Sequence, residues 1–476
     1  MKTPILGSSY VLRSPNAADN RMVNLYPEAI PEGGKEPAYL QRCPGLRLVT
    51  TVGAGPIRGL WAHGTDVYVA SGLEFYKVTS GLTATKLGDI TGYGPVSIAD
   101  NGTQIFVACN PDGFIYNMTT NVFAPITDPD FPGAVNVGYL DGYFVFNEPN
   151  SQKIWVTSLF DGLSIDPLEF ASAEGSPDGL VSLVVDHREV WLFGTNSVEV
   201  WYNSADLDFP LTRIQGAYNE IGCIAPYSVA KLDNSVFWLG ADARGQGIVY
   251  RAQGYQGVRV STHAVEFAIQ GYSDMSDALA YTYQQDGHAF YVLVFPSAET
   301  TWVYDASTQA WHERAALEDG QFRRHRSNCQ ARFNGDPVVG DFENGNIYAF
   351  DLAVYADNGA AQKWLRSWRA LGPGQNDLKR TIHRRLQVDC QVGVGISVGQ
   401  GNNPQMMLRW SDDGGHTWSY EYWRPMGAIG RTETRVIWNR LGATLKSRDR
   451  VYEASATDPV VTAIMGAELM IEPTSA

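Results

Sequence analysis

The chain has 476 residues, of which 44% are hydrophobic and 18% charged, and its formal net charge at pH 7 is −15. This length exceeds one ordinary hydrophobic core, and this composition excludes long disordered tracts. The negative charge argues against a general nucleic-acid-binding protein, because phosphate contacts require clustered cations. Abundant glycine and 12% aromatic residues favour short strands joined by tight turns. We therefore predict an all-β protein of two or three domains.

The cysteine pattern indicates free thiols. The five cysteines are scattered and form no CxxC pair. Free thiols in a reducing compartment fit this pattern better than a disulfide framework or a zinc site. The first residues lack the apolar run of a signal peptide, and no stretch is long enough to span a membrane. We expect a protein that is made and folded in a cytoplasm and does not insert into membranes.

Residues 1–55 are rich in Pro, Gly and Asn and show little periodicity. Proline fixes φ and removes a hydrogen-bond donor, so the prolines at positions 27, 31, 37 and 44 exclude a long helix. We predict an extended N-terminal arm. It ends in a strand candidate over residues 46–52, which is placed to close a ring against the last repeat.

A repeat begins near residue 56. Each unit has a polar turn, an aromatic or β-branched strand, a second turn and another such strand, and successive units start roughly 40–50 residues apart, the length of one propeller blade. Dipeptides that tolerate the positive φ of tight hairpins lie between the strands, among them Asp141-Gly142 and Asn334-Gly335. We predict a β-propeller of six or seven blades over residues 56–360.

Residues 361–476 do not continue the repeat. A short helix is predicted over 361–371, because Trp364, Leu365, Trp368 and Leu371 would share one helix face. Strand candidates then follow over residues 384–390, 394–399, 406–411, 434–442, 450–456 and 463–472. We predict a separate C-terminal β-sandwich-like domain.

One local motif in this domain matches the Asp-box pattern S-x-D-x-G-x-T-W. Its residues are Ser411, Asp413, Gly415, Thr417 and Trp418. The aspartate would cap its own turn, the glycine would supply a positive φ, and the tryptophan would anchor the hairpin. The box is common in sialidases, where it is a structural turn remote from catalysis. We assign it a structural role.

The sequence contains no convincing catalytic, metal or cofactor motif. GISVG at 395–399 fits the nucleophile-elbow pattern of hydrolases, but that elbow requires a strand before it and a helix after it, and QGNNPQ follows. The histidines form neither HxH nor HExxH. We predict that the protein is not an enzyme and binds no cofactor.

Two basic runs interrupt an otherwise acidic chain, whose excess negative charge falls almost entirely within residues 1–312. The cations of these runs are Arg323, Arg324 and Arg326 in the first, and Lys379, Arg380, Arg384 and Arg385 in the second. Two interpretations stay open: a solvated or interface surface, and a specific contact with DNA or an acidic partner. We take these residues as a candidate interface.

Several segments, in order, resemble known proteins. They are VNLYPE at 23–28, Gly34-Lys35, Tyr39-Leu40, CPGL at 43–46 and GAGPIRG at 53–59. This order resembles the opening of the packaged-DNA stabilisation proteins, or tail accessory factors, of short-tailed (podovirus-like) phages. WSDDGGHTWS at 410–419 and VYEASATDPV at 451–460 are similar to the closing segment of that family. The resemblance thus covers nearly the full length.

This resemblance implies a structural virion protein of a short phage tail, assembled in the host cytoplasm. Such proteins form a hexameric nozzle or hub below the portal and adaptor, and carry a tail needle, spike or fibre proteins below. They close and guide the DNA exit channel and retain packaged DNA, and they have no catalytic residues to transfer. An acidic channel wall would let DNA pass without sequence-specific binding.

Two other classes remain as alternatives. One is a glycan-active propeller, either a sialidase-like hydrolase or a lectin. A sialidase would need three arginines from different blades, a Tyr–Glu pair and an acidic Asp, yet the early repeats are poor in arginine and the Asp box lies after the repeats. A scaffold that binds peptides across the propeller face is the second alternative, and the sequence leaves it open.

Overall fold

The computed structural model describes residues 1–11, 19–34, 36–173, 175, 178–206, 209–372, 379–445 and 449–474. Its N-terminal strands are short: β1 Lys2–Thr3, β2 Tyr10–Val11, β3 Asp19–Asn20, β4 Met22–Val23, β5 Leu25–Ala29 and β6 Ala38–Arg42. A longer strand, β7 Gly45–Thr51, follows them.

Seven antiparallel sheets succeed one another in the next part of the described chain. The first sheet contains β8 Ile57–His63, β9 Asp66–Ser71, β10 Glu74–Val78 and β11 Ala84–Asp89, and the second contains β12 Ser97–Asp100, β13 Gln104–Cys109, β14 Asp112–Asn117 and β15 Val122–Pro125. The third sheet contains β16 Val137–Leu140, β17 Tyr143–Asn147, β18 Lys153–Val156 and β19 Phe170–Ser172. The fourth contains β20 Leu180–Asp186, β21 Glu189–Gly194, β22 Val198–Asn203 and β23 Leu211–Asn219.

The fifth sheet contains β24 Gly222–Cys223, β25 Ala230–Leu232, β26 Ser235–Asp242, β27 Gly245–Gln253 and β28 Gln256–Arg259. A short helix, α1 His263–Gln270, follows, and the Thr262 hydroxyl caps it by accepting a hydrogen bond from the Val265 amide. The sixth sheet contains β29 Leu279–Gln285, β30 His288–Phe295, β31 Thr300–Asp305 and β32 Ala310–Glu313. After the hairpin of β33 Ala315–Glu318 and β34 Gln321–Arg324, the seventh contains β35 Ser327–Phe333, β36 Asp336–Asp341 and β37 Asn346–Asp351.

The second strand of a sheet is often a continuous apolar run, because another sheet covers each of its faces. Every residue of β13 and of β30 is buried. A strand that faced water on one side would instead alternate apolar and polar residues. These runs are what made the repeat visible in the sequence.

The sheets close into a ring through their inner strands. The inner strand of each sheet lies against that of the next, and β35 of the seventh sheet lies against β8 of the first. Side-chain hydrogen bonds cross each junction, joining Trp61 to Asp100, Ser97 to Val137, Asn136 to Ser182, Lys231 to Val185, Thr282 to Lys231, Tyr281 to Ser327 and Asn328 to Ile57. The arrangement is that of a β-propeller.

The N-terminal segment completes the seventh sheet. β7 pairs antiparallel with β37, so the outer strand of the last sheet comes from a part of the chain that precedes the first. The strand candidate at 46–52 therefore occupies the ring-closing position that the sequence suggested for it. The propeller therefore includes a strand whose residues precede position 56.

The C-terminal strands form a sandwich together with N-terminal ones. After the short pair β38 Ala356–Asp357 and β39 Ala360–Ala361 come β40 Trp364–Arg369, β41 Thr381–Cys390, β42 Gln405–Ser411, β43 Tyr422–Pro425, β44 Val436–Ala443, β45 Val451–Ala456 and β46 Ala463–Pro473. One sheet has the order β44-β41-β46-β6-β5, with β1 also on β46, and the other has the order β4-β40-β45-β42-β43. Buried tryptophans such as Trp364, Trp368 and Trp438 fill the space between them.

The second of these sheets continues the sixth propeller sheet. β4 pairs in parallel with β32 and antiparallel with β40, which gives one nine-stranded sheet from β29 to β43. The propeller and the sandwich are therefore joined by hydrogen bonds and not by a linker alone.

Two local predictions were wrong. Residues 364–369 form β40 and not a helix, because β4 and β45 pair with its two edges; Trp364 and Trp368 share a face at strand spacing as well as at helical spacing. The predicted strand over 394–399 is a loop. Gly393 and Gly399 adopt φ values of 74° and 90°, which a strand does not accommodate.

Candidate interaction surfaces

The candidate chemical motifs have no catalytic geometry. Ser397 of the GISVG motif lies exposed in a loop, without the strand and helix that an elbow requires. No group of three or more His, Cys, Asp or Glu side chains within the described residues could hold a metal ion. The cysteines are free, and burial raises the pKa of the Cys223 thiol to about 12. No helix in the described part of the chain is long and apolar enough to cross a membrane.

The Asp box forms a compact turn at the end of β42. The Ser411 hydroxyl donates to Asp413 at 2.6 Å and accepts from the Gly415 amide at 2.8 Å. The other carboxylate contacts of Asp413 are the amide and hydroxyl of Thr417, at 2.8 and 2.7 Å. Hydrogen bonds from Ser411 and Thr417 lower the pKa of the Asp413 carboxyl. Trp418 lies beneath the guanidinium of Arg409, 4.7 Å from ring centroid to Cζ.

The first basic run lies at the end of the β33–β34 hairpin, and its three arginines have different surroundings. Arg323 is exposed. Arg324 is buried and stacks on the Phe342 ring, with its Cζ 3.9 Å from the ring centroid. Arg326 pairs with Glu343 at 2.8 Å. The run is therefore not a uniform cationic surface.

The second basic run lies on and before β41 of the sandwich. Arg384 is exposed and pairs with Glu472 at 2.6 Å across to β46. Arg380 donates through Nε to the Thr444 carbonyl at 3.1 Å, and Lys379 precedes it at the same end of the strand. Arg385 is half-buried. The structure thus places the two runs on different domains.

The propeller centre opens at two mouths. The first, which we call the polar mouth, is a cavity of about 450 Å³ beside the hairpin turns that join inner to second strands. Its charged lining residues are Asp186, His187, Lys231, Asp233 and Arg332. His187 is bonded to both Asp186 and Asn234 at 2.6 and 2.8 Å, so these groups largely satisfy one another.

The second mouth, which we call the arginine mouth, is a cavity of about 350 Å³ at the opposite end. Arg58 and Arg324 line it together with Asp277, and both arginines are more than nine-tenths buried. Its described lining contains two arginines, whereas a sialidase site needs three. The sequence singled out Arg324 but missed Arg58 and Asp277, which reach this position only through ring closure.

Apolar side chains are exposed at two places. One is the edge strand β43 with its flank, where Tyr420, Tyr422 and Trp423 are exposed. The other is the long loop of the third sheet, between β18 and β19, where Leu159, Phe160, Leu163 and Leu168 are exposed. Exposed aromatic and aliphatic clusters of this kind commonly mark protein–protein contacts.

Asn24 joins three parts of the chain at the junction of the two domains. It is buried, with a φ of 54°. Its Nδ2 donates to the carbonyls of Ala315 and Lys363 at 2.8 and 2.7 Å, and its Oδ1 accepts from the Ala315 amide at 3.0 Å. Ala315 leaves the sixth propeller sheet and Lys363 enters the sandwich, so one amide ties the arm to both domains.

Arg42 makes a second junction contact from the arm. Its fully buried guanidinium donates to the carbonyls of Asp458 and Val460 at 2.5 and 2.9 Å, and to the side chain of Gln362 at 3.1 Å. Burial lowers the pKa of Arg42 to about 10. No local pattern in the sequence indicated this role, because all its partners lie more than 300 residues away.

His288 makes a third contact between arm and propeller. Its two ring nitrogens lie 2.6 Å from a Glu28 carboxylate oxygen and 2.7 Å from an Asp305 oxygen. Although burial lowers the pKa of His288, the hydrogen bonds to Asp305 and Glu28 outweigh it and raise that pKa to about 9. The imidazolium therefore holds the arm to the sixth sheet at neutral pH.

Two family models match the chain. One, described as bacteriophage P22 Gp10, beta-propeller, matches residues 1–355, and the other, described as bacteriophage P22 Gp10, beta-sandwich, matches residues 364–472. No curated protein matches the chain.

Solved structures with a similar shape include the N-terminal domain of Nup159, at 9% identity and a TM-score of 0.40 over 70% of this chain and 98% of that one. YCF48 from Cyanidioschyzon merolae is similar at 12% identity and a TM-score of 0.42, over 65% of this chain and 98% of that one.

Proposed function

The chain belongs to the bacteriophage P22 Gp10 family of packaged-DNA stabilisation proteins, and we propose that it forms the nozzle or hub of a short phage tail. Membership makes it a phage structural protein of the tail and DNA-stabilisation type, and a virion component. The finer proposal is a ring of six copies below the portal and adaptor. This ring closes the DNA exit channel, retains packaged DNA and carries the distal tail proteins.

The observation that carries the proposal is the family match over both domains together with their continuous sheet. The nine-stranded sheet and the contacts of Asn24 and Arg42 join the two matched domains within one subunit. Assembly in the host cytoplasm is part of the same proposal.

Charge supports passage of DNA without trapping it. The chain carries a net charge of −15, and Arg326 and Arg384 of the basic runs are paired with carboxylates of the same chain. A wall with this balance repels phosphates and does not bind them.

The exposed apolar clusters are suited to contacts between copies of the chain in the proposed ring. Aromatic side chains at an edge strand are typical anchors of subunit interfaces, because they bury large areas at a small cost in side-chain entropy. We place contacts between copies at β43, and contacts with adaptor or distal tail proteins at the loop of the third sheet or at the basic runs.

Native mass spectrometry and cryo-electron microscopy of assembled tails test the ring. We expect six copies around the channel, and particles that lack the protein should lose their DNA after packaging. The isolated chain can be monomeric when the adaptor templates the ring. A single copy on assembled tails, or full DNA retention without the protein, would contradict the proposal.

We also propose that the protein has no hydrolase activity. Its family is structural, Asp413 is committed to a turn, and Ser397 lies in a loop. Turnover of a sialoside or an ester that is lost in Ser397→Ala or Asp413→Asn would contradict this.

A further inference from the structure

The arginine mouth contains hydrogen-bonding groups that the chain itself does not satisfy. Arg324 donates through Nη2 to Asn328 at 2.9 Å, but its buried Nε has no acceptor among the described residues. Arg58 donates through Nε and Nη1 to the carbonyls of Gly94 and Gly72, at 2.6 and 2.8 Å. Each guanidinium therefore retains donors that can serve a ligand.

The mouth also contains a buried acceptor. One carboxylate oxygen of Asp277 accepts from the amide and hydroxyl of Ser297, at 2.7 and 2.5 Å. The other, Oδ1, is buried and has no donor in the described part of the chain. Because an unpaired buried polar atom is destabilising, a ligand that pairs with both Arg324 and Asp277 would relieve an unsatisfied group on each.

Much of the remaining wall consists of side chains that contain rings. Tyr93 is 86% exposed at the rim, and the other ring-containing members are Pro56, Pro95, Pro226, Tyr227, Pro296 and Phe342. Grooves lined with aromatic rings recognise extended, proline-containing segments, and Tyr93, Tyr227 and Phe342 supply such rings here.

These features distinguish between ligand classes. A nucleic acid is disfavoured, because two arginines beside the Asp277 carboxylate do not provide the row of cations that successive phosphates require. A peptide backbone offers a carbonyl and an N–H within one residue, which suits Arg324 and Asp277 together. A carboxylate on a neighbouring side chain suits the free donors of the two arginines.

We propose that the arginine mouth is a docking site for an extended peptide segment of another protein, in which an acidic side chain lies next to a proline or an aromatic residue. The site does not depend on the ring proposed above, since it is complete within one chain. A monomeric chain would retain it.

Panning a random dodecapeptide display library against the full chain tests the site. We expect a consensus with Asp or Glu beside Pro or an aromatic residue. A synthetic consensus peptide should bind in fluorescence anisotropy, and its amide counterpart, with Asn or Gln in place of the acid, should bind about 30-fold more weakly.

Matched variants locate the binding. Arg324→Gln should weaken the acidic peptide about 30-fold, whereas Arg323→Gln, which removes the same charge from the exposed neighbour, should leave its affinity unchanged. If Arg324→Gln does not fold, Tyr93→Ser decides, because this exposed side chain can be removed without loss of packing and should still weaken binding.

Three results would overturn the proposal. They are a neutral consensus or none, peptide binding that Arg324→Gln and Tyr93→Ser both leave unchanged, and saturable binding of oligothymidylate or sialyllactose that is lost in the variants while no peptide binds. The last result would assign the mouth to nucleic acid or to a glycan.

Discussion

At the scale of single residues, a few buried polar side chains hold the arm to the two domains. Asn24, Arg42 and His288 each bond to groups hundreds of residues away. The sequence places Asn24 and Arg42 in the predicted arm and His288 in the predicted propeller, but no local pattern identifies the partners of these three side chains. Buried polar groups must find partners, and here the partners are supplied by the tertiary fold.

Asn24→Ala tests the junction. The change leaves the amide of Ala315 and the carbonyls of Ala315 and Lys363 without their side-chain partner, so we expect it to lower the free energy of unfolding by at least about 3 kcal/mol. Urea denaturation measures the loss. Asn358→Ala is the control, because Asn358 is exposed with a similar φ of 50° and should show only the backbone cost of about 1–2 kcal/mol. Equal losses in the free energy of unfolding for Asn24→Ala and Asn358→Ala would show that Asn24 does not stabilise the junction.

The contact of His288 predicts a pH dependence. Its pKa of about 9 exceeds the ordinary value of about 6.5, so its contribution is fully present below about pH 6.5 and is lost as the pH rises through about 9. We expect the free energy of unfolding to fall by on the order of 2 kcal/mol across this window. His288→Gln should flatten this alkaline decline, as measured by urea midpoints from pH 6 to 10. An unchanged decline would contradict the assignment.

At the scale of elements, the sequence predicted those strands whose burial leaves a continuous apolar run or a tight turn. β13 and β30 were visible for this reason, and so was the ring-closing position of β7. β40 was mistaken for a helix because Trp364 and Trp368 fit both periodicities. The short strands β4 to β6 were missed because they are strands only by virtue of their distant partners. Arg58 and Asp277 were missed because ring closure alone brings them to Arg324.

Substitution of Leu46 or Leu48, which lie two residues apart in β7, tests whether this strand closes the ring. Leu46 is buried in the core shared with the sixth and seventh sheets, whereas Leu48 is 42% exposed. We expect Leu46→Ala to lower the free energy of unfolding by about 2–5 kcal/mol, because it leaves a cavity at the closing seam. Leu48→Ala should cost well under about 1 kcal/mol. Similar urea midpoints for the two variants would show that β7 does not close the ring in solution.

At the scale of the whole molecule, charge is divided between the domains, with the excess negative charge in residues 1–312. The second basic run therefore lies on the less acidic part of the chain. Arginine suits an interface because its planar fork pairs bidentately with carboxylates. Arg384 already pairs with Glu472 at an exposed position, so a partner would have to compete for it or accept both charges.

The double variant Arg384→Glu with Arg385→Glu tests whether this run contacts a neighbour. As an interface it should weaken ring or adaptor assembly by about 2–5 kcal/mol, and as a solvated face by well under about 1 kcal/mol. Sedimentation at low and high salt measures assembly. Arg431→Glu with Arg440→Glu, on exposed positions of the same domain, matches the charge change. Normal assembly of the Arg384→Glu with Arg385→Glu variant would reject the interface. If the unmodified protein binds DNA and this variant does not, the run would instead lie in the channel.

The sheet that runs from β29 to β43 has a mechanical consequence. A force applied to the sandwich is passed to the propeller through β4, where backbone pairs on both sides and the Arg21–Glu313 ion pair, at 2.7 Å, resist separation together. This continuity favours movement of the two domains as one unit. In the ring proposed above, the channel would then widen by tilting of whole copies against one another, and the compliance of that assembly would reside in the contacts between chains.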